Sequence, residues 1–297
     1  MRRPVIALSA IALALAGCAP ADEPPTAGAT TSANGATSAS GTTSATTDAC
    51  AKDALATRTK GTLTVGTDKP AYEPWFSGDD PTNGEGYESA VAYAVADQLG
   101  FSKKEVTWKV VSFTQATAPG PKTFDVDINQ VSITAERKKN LDFSTGYYDV
   151  AQSVVTIEGS KAENATTLAG LRKLRLGAAV GTTSYTAAKD TIAPTKQVAV
   201  YNTNDDAKAA LLNGQVDALV VDLPTGLFMA AVDIEGGKLV GQIPSVGAPE
   251  QFGFVLDKGS ALTTCVSQAV DALRADGTLS KLEQQWLTST AGAPELK

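Results

Sequence analysis

From residue 61 onward the sequence predicts an α/β fold, and three observations carry that expectation. Short apolar runs suited to strands alternate with segments of helical period. The stretch DDAKAALLNGQVDALVVD, residues 205–222, shows one full unit: a helix closed by Asn213-Gly214, then at once an apolar strand. Of 297 residues, 43% are hydrophobic and 19% charged, enough apolar material for a substantial core in one or two domains.

In chain order, residues 63–67 read as a strand, 89–99 as an Ala/Val-rich helix closed by Gly100, and 106–111 as a second strand. FDVDINQ, residues 124–130, alternates as a strand does and places Asp125, Asp127 and Asn129 on one face. Further strands are expected near 174–179, 198–201, 218–222 and 252–256, separated by helices near 184–190, 205–212 and 224–231. Residues 260–297 read as two helices broken near Asp276-Gly277. There are no heptads, sequence repeats or second hydrophobic span.

Composition narrows the function classes. With 25 basic and 32 acidic residues the net charge is −7, which works against long-range attraction to nucleic acid or an anionic membrane. The chain has no histidine, so Ser-His-Asp and Cys-His catalysis are excluded, together with the commonest metal ligand and the near-neutral pH switch. No G-x-x-x-x-G-K-[ST] occurs, and Gly84-Glu85-Gly86 lacks both a third glycine and a preceding strand, which argues against nucleotide folds. No cofactor is expected.

The N-terminus speaks to location. MRRPVIALSAIALALAGC has a basic start (Arg2, Arg3), an apolar stretch over residues 5–16 and small residues before Cys18. It reads as a secretion signal, because the apolar stretch is well short of the roughly 20 residues a permanent membrane helix needs. Leu15-Ala16-Gly17-Cys18 resembles the bacterial lipobox, which implies cleavage after residue 17 and a lipid such as palmitate on Cys18. Residues 19–49 contain 27 Ala, Thr, Ser, Gly or Pro among 31 positions and have no hydrophobic period, so they are expected to act as a flexible tether with a reach of about 30 Å. Plain spacer and sugar-bearing stalk both remain open for it. With Cys18 assigned to lipid, Cys50 and Cys265 remain; an exported chain sits in an oxidising compartment, which favours a Cys50–Cys265 disulfide over two unpaired thiols. Two cysteines without histidine cannot supply the four ligands of a structural zinc site.

Five segments in order carry a family resemblance: GTLTVGTDKPAYEPWF (61–76), GYESAVAYAVADQLGF (86–101), VSITAERKKNLDFSTGYY (131–148), LGAAVGTTSY (176–185) and GQVDALVVD (214–222). Together they resemble the extracellular solute-binding proteins, family 3, of polar amino-acid ABC transporters. The resemblance implies a bilobal, type II periplasmic-binding-protein-like fold in which two α/β lobes are joined by two crossing strands. It places 50–148 and 251–297 in the first lobe and 149–250 in the second, with crossings near 147–152 and 248–252. It further implies a monomer anchored by lipid alone, with an amino acid and permease subunits as partners.

The resemblance also gives Arg137 a role. A free α-amino acid is a zwitterion, and a closed cleft strips water from both charges, so each needs an opposite charge and hydrogen bonds. Arg137 would take the α-carboxylate with two parallel bonds, a geometry lysine cannot reproduce. Read alone, it would be a surface arginine beside Lys138 and Lys139. Thr134 is expected to cap the short helix that begins there. By the same resemblance Ser132 and the main-chain carbonyl of Gln130 would meet the ligand backbone, and Thr182 and Thr183 would hold its carboxylate from the second lobe. Asp222 would accept from the α-ammonium, although a strand-end aspartate often caps the next helix. Asp68, Tyr72, Phe113 and Asn129 would line the side-chain pocket, joined by Asp127 if it faces the cleft. Two departures bear on that pocket: prolines at 119 and 121 where a helix is usual, and an extra residue between Asp68 and Tyr72. An enzyme on the same fold would need a carboxylic acid in the cleft, for which Glu73, Glu88 and Asp127 are the candidates. A ligand-sensing receptor module is a third reading.

Overall fold

The computed structural model describes residues 49–245, 247–287 and 293–297. The expected leader, Cys18 and, apart from residue 49, the tether lie outside the described residues.

The chain runs from β1 (Leu63–Thr67) through α1 (Tyr87–Gln98) to β2 (Val106–Val110), then through α2 (Phe113–Thr117) to β3 (Val126–Asp127) and β4 (Leu141–Phe143). β5 (Tyr148–Val150) leads to β6 (Gln152–Ile157), α3 (Leu168–Leu171), β7 (Leu176–Ala179), α4 (Thr183–Thr186), β8 (Ala199–Tyr201), α5 (Asn204–Leu212), β9 (Ala218–Asp222), α6 (Leu223–Phe228) and β10 (Gly237–Gln242). β11 (Glu250–Phe252) is followed by β12 (Val255–Asp257), α7 (Thr263–Ala275) and α8 (Thr278–Trp286).

Two five-stranded sheets result, ordered β2-β1-β3-β12-β4 and β10-β6-β9-β7-β8. In the first, β1 pairs in parallel with β2 and β3, while β12 is antiparallel to β3 and β4. In the second, β7 is parallel to β8 and β9, and β6 is antiparallel to β9 and β10. β5 and β11 form a separate antiparallel ribbon, with Val150 opposite Glu250 and Tyr148 opposite Phe252. Each sheet has a buried cluster on both sides, while the edge strands β2 and β8 are partly exposed. On one face of the first, Val65 and Phe254 pack with Val91 of α1 and Val266 of α7, and on the other lie Val111, Phe124, Leu141 and Val255. The second sheet separates a cluster around Val154, Ala178 and Val220 from one around Val155, Leu219 and Met229.

The ribbon is rooted in an aromatic cluster in which Trp75 meets Tyr87, Tyr148 and Phe252 edge to face at 5.5–6.1 Å. Gly86 makes that packing possible: at φ 89°, a Cβ there would lie 2.5 Å from the Trp75 carbonyl oxygen. Any other residue would push α1 off the cluster.

Most expected elements are present within a residue or two. The run 252–256 is divided, because Phe252 ends the ribbon and Val255 opens a strand of the first sheet. Pro119 and Pro121 leave only the five-residue α2 in their segment. One boundary is corrected. Residues 293–297 lie with the second sheet: Leu296 is buried in its core, Gln242 N–H donates to Pro294 O at 2.7 Å, and Leu296 N–H donates to Gln242 O at 2.9 Å. The last residues therefore lie with the second lobe, whereas the resemblance places all of 251–297 in the first. Cys50 and Cys265 form a disulfide with Cα atoms 5.3 Å apart, fastening the start of the folded region to α7. Among the described residues no helix is long and apolar enough to cross a membrane.

Candidate ligand-binding site

Between the two sheets lies a cleft whose empty space, part of it open to solvent, is about 590 Å³. Its wall includes Asp68, Tyr72, Phe113, Asn129, Gln130, Ser132, Arg137, Thr182, Thr183 and Asp222, so all ten residues expected to meet a ligand border one space.

Arg137 opens a single 3₁₀ turn whose start is fixed by Thr134, the Oγ1 of which accepts from Arg137 N–H at 3.1 Å. The guanidinium donates to Ser132 O at 2.7 Å and across the cleft to Gly181 O at 3.0 Å, and stands 5.3 Å from the Phe113 ring centre. Burial lowers its pKa, while Glu250 and Asp222 draw it back up. From the opposite side come Thr182 and Thr183. Thr182 caps α4, accepting from Tyr185 N–H at 3.1 Å and donating to Ala179 O at 2.8 Å, so its hydroxyl is committed to the helix. The Thr183 hydroxyl lies 3.1 Å from Ser132 Oγ and donates to Glu250 Oε1 at 2.6 Å.

Asp222 stands at the N-cap position of α6 but makes no side-chain cap. Its carboxylate instead accepts from Gln152 Nε2 at 2.7 Å. Burial first, then the neighbouring Glu250, push its pKa up to about 7; Gln152 and Arg137 oppose the rise. The Asp68 carboxylate accepts from Lys69 N–H at 2.7 Å and from Phe113 N–H at 3.0 Å, which ties the end of β1 to the start of α2. Among the described residues Asn129 Nδ2 is buried without a hydrogen-bond partner, and the Tyr72 hydroxyl is buried beside Thr203 and Asp205. Burial and then Asp205 push the Tyr72 phenol up to about 12.

Asp127 does not join them. It is wholly buried in the first lobe, off the cavity wall, and among the described residues neither of its oxygens has a hydrogen-bond partner. Burial, Glu88 and Asp68 hold its pKa well above the carboxylate range. The other two acids considered for catalysis are also away from the cavity: Glu88 is wholly buried, and Glu73 accepts from Gly78 N–H at 3.1 Å.

Five residues of the site escaped the sequence reading. Asn202, Thr203 and Asn204 line the cavity where β8 passes into α5, with Thr203 capping the helix through Asp206 N–H at 3.0 Å. A hydroxyl residue between strand and helix is the signal that drew attention to Thr182, and it would have found Thr203 as well. Gln152 and Glu250 reach Asp222 and Thr183 from the ends of β6 and β11, where no local pattern marks them. The assembled groups can pair an anion with a guanidinium and hydroxyls, and a cation with the half-buried carboxylate of Asp222.

Two α/β lobes, a two-stranded ribbon between them and a cavity at their junction define a bilobal, type II periplasmic-binding-protein-like structure. The chain belongs to the bacterial extracellular solute-binding proteins, family 3, whose model matches residues 63–289. It is 30% identical over 216 residues to the ABC transporter glutamine-binding protein GlnH of Bacillus subtilis, covering 71% of this chain and 77% of that one. It is 26% identical to the L-arginine-binding protein of Pseudomonas aeruginosa, covering 79% and 94% of the two chains. Among solved structures, an ancestral arginine-binding protein bound to glutamine aligns with a TM-score of 0.65 and 30% identity, over 77% of this chain and 98% of the other.

Proposed function

We propose that this protein captures a free polar amino acid in the cavity and delivers it to the permease of an ABC importer. Exported and held by lipid on Cys18, it acts as a monomer at the outer face of the cytoplasmic membrane. The observation that carries the reading is that Arg137 and Asp222 open on one cavity, which Ser132, Thr183 and Gln130 also border, with Ser132 O accepting from the guanidinium. A zwitterion needs such a pair, and each partner left alone in a buried site would cost several kcal/mol. The glutamine- and arginine-binding relatives support the class of ligand.

The side-chain end of the cavity favours a group that ends in N–H donors. Asp68 supplies acceptor oxygens, Asn129, Asn202 and Asn204 supply amides, and among the described residues no lysine borders the cavity. A basic side chain or the amide of glutamine fits this wall, whereas a side-chain carboxylate faces Asp68 with no cation beside it. The test is a thermal-shift screen of the twenty amino acids followed by titration calorimetry and product analysis. A ligand at 100 times its Kd stabilises by about 2.7 kcal/mol. Binding of a basic amino acid or glutamine without turnover is expected; no binding, or conversion of the bound compound, overturns the reading.

A further inference from the structure

Glu88 lies in the first turn of α1, wholly buried and off the cavity wall. Its carboxylate nevertheless grips a residue that does border the cavity, and does so twice: it accepts from the main-chain N–H of Gln130 at 2.7 Å and from the Gln130 side-chain Nε2. Gln130 has φ 48°, in the left-handed region that side chains other than glycine rarely enter. A conformation of that kind persists where its surroundings impose it, and the double grip is the constraint seen here. With its main-chain donor and a side-chain donor turned to Glu88, Gln130 has its oxygens to offer the cavity. The third donor to Glu88 is the Tyr147 hydroxyl. Tyr147 directly precedes β5, and its N–H donates to Phe252 O at 2.8 Å, where β11 ends. One carboxylate thus joins the cavity wall to the root of the ribbon.

We propose that Glu88 is a positioning residue for the ammonium half of the site, holding Gln130 so that its main-chain carbonyl receives the ligand's α-ammonium. The proposal rests on the reading of the cavity as an amino-acid site. An ionised carboxylate suits the task because it accepts all three bonds, while a protonated one would turn an O–H toward a donor. Burial pushes Glu88 up to about 7, and the three donors from Tyr147 and Gln130 oppose that rise.

The experiment is calorimetric titration of the wild type, Glu88→Gln and Gln130→Ala with the amino acid identified by screening and with its analogue lacking the α-amino group. Circular dichroism and thermal melts establish folding of each variant. Glu88→Gln is expected to weaken the amino acid at least tenfold and the analogue less than threefold. Gln130→Ala, which keeps the carbonyl but loses the side-chain grip, should shift the same way by a smaller factor and serves alone if Glu88→Gln does not fold. Equal losses for both ligands in the folded variants would assign Glu88 to lobe stability, and unchanged affinities would remove its role; either overturns the proposal alone. A wild type that binds no amino acid overturns both this proposal and the function on which it rests.

Discussion

Gln152 donates its side-chain amide to Asp222 at 2.7 Å and thereby links the first strand beyond the ribbon to the carboxylate proposed to hold the ligand's ammonium. The carbonyl of the same amide accepts from Ser184 Oγ at 2.7 Å, which fixes its orientation. Gln152 thus turns a donor toward Asp222 and favours its ionised form, while burial and Glu250 favour the protonated one.

A pH dependence of binding follows. In the free protein the Asp222 carboxyl is pushed up to about 7, and pairing with an ammonium favours the carboxylate, so ligand binding expels the proton. Affinity should therefore fall as pH drops below 7, by up to about tenfold per unit, and level off above 7 until the ligand's own amino group titrates. Calorimetry from pH 5 to pH 8.5 in buffers of different ionisation heat reads both the affinity and the proton release. Asp222→Asn should weaken α-amino acids, spare analogues without the amino group and reduce this dependence to the share that Glu88, also pushed up to about 7, supplies. Equal losses for both ligand types would point to a structural role for Asp222.

Glu250 gives an independent handle on the same quantity. It is the largest charged neighbour raising the Asp222 pKa. Glu250→Gln should shift the inflection of the binding profile to lower pH, toward the ordinary carboxylate range. An inflection that stays in place would mean that Glu250 does not act on Asp222.

Recognition of the side chain can be ranked directly. Titration with arginine, glutamine and glutamate should find glutamate the weakest, since Asp68 borders the cavity and no lysine among the described residues does. Asp68→Asn should cost a cationic ligand more than an amide one. Glutamate as the tightest of the three would mean that the pocket has another polarity.

Reading the sequence captured the elements whose patterns are local. β1 (LTVGT) and β9 (ALVVD) were placed to the residue because each is a short apolar run bounded by turn or helix signals. β6 and β10 were not foreseen. β6, QSVVTI, is covered on both faces and so lacks the alternation that marks a half-exposed strand, and β10, GKLVGQ, carries two glycines that blur its pattern. The family resemblance brought ten side chains to one cavity, but it could not orient Asp127: alternation puts it on one face with Asp125 and Asn129, and only the structure shows that Asp127 is buried in the lobe while Asn129, just beyond the two-residue β3, borders the cavity. Gln152 and Glu250 were invisible for a related reason, since each acts from the end of a strand through partners far away in the chain. The return of residues 293–297 to the second lobe rests on Leu296 filling its core, a long-range contact with no periodic trace.

The disulfide offers a separate check on export. Non-reducing mass spectrometry of the exported protein should find Cys50 linked to Cys265, and Cys265→Ser should cost on the order of 2–5 kcal/mol of stability. Both thiols alkylated without denaturant would contradict the link.

The central claim is that Arg137 receives the ligand's α-carboxylate through a bidentate bond, and the affinity of Arg137→Lys tests it most directly. Losing one charged hydrogen bond is worth about 1.5–3 kcal/mol, so Kd should rise more than tenfold for every amino acid the wild type binds, with the fold of the variant intact by circular dichroism. An unchanged Kd in the folded variant would contradict the account.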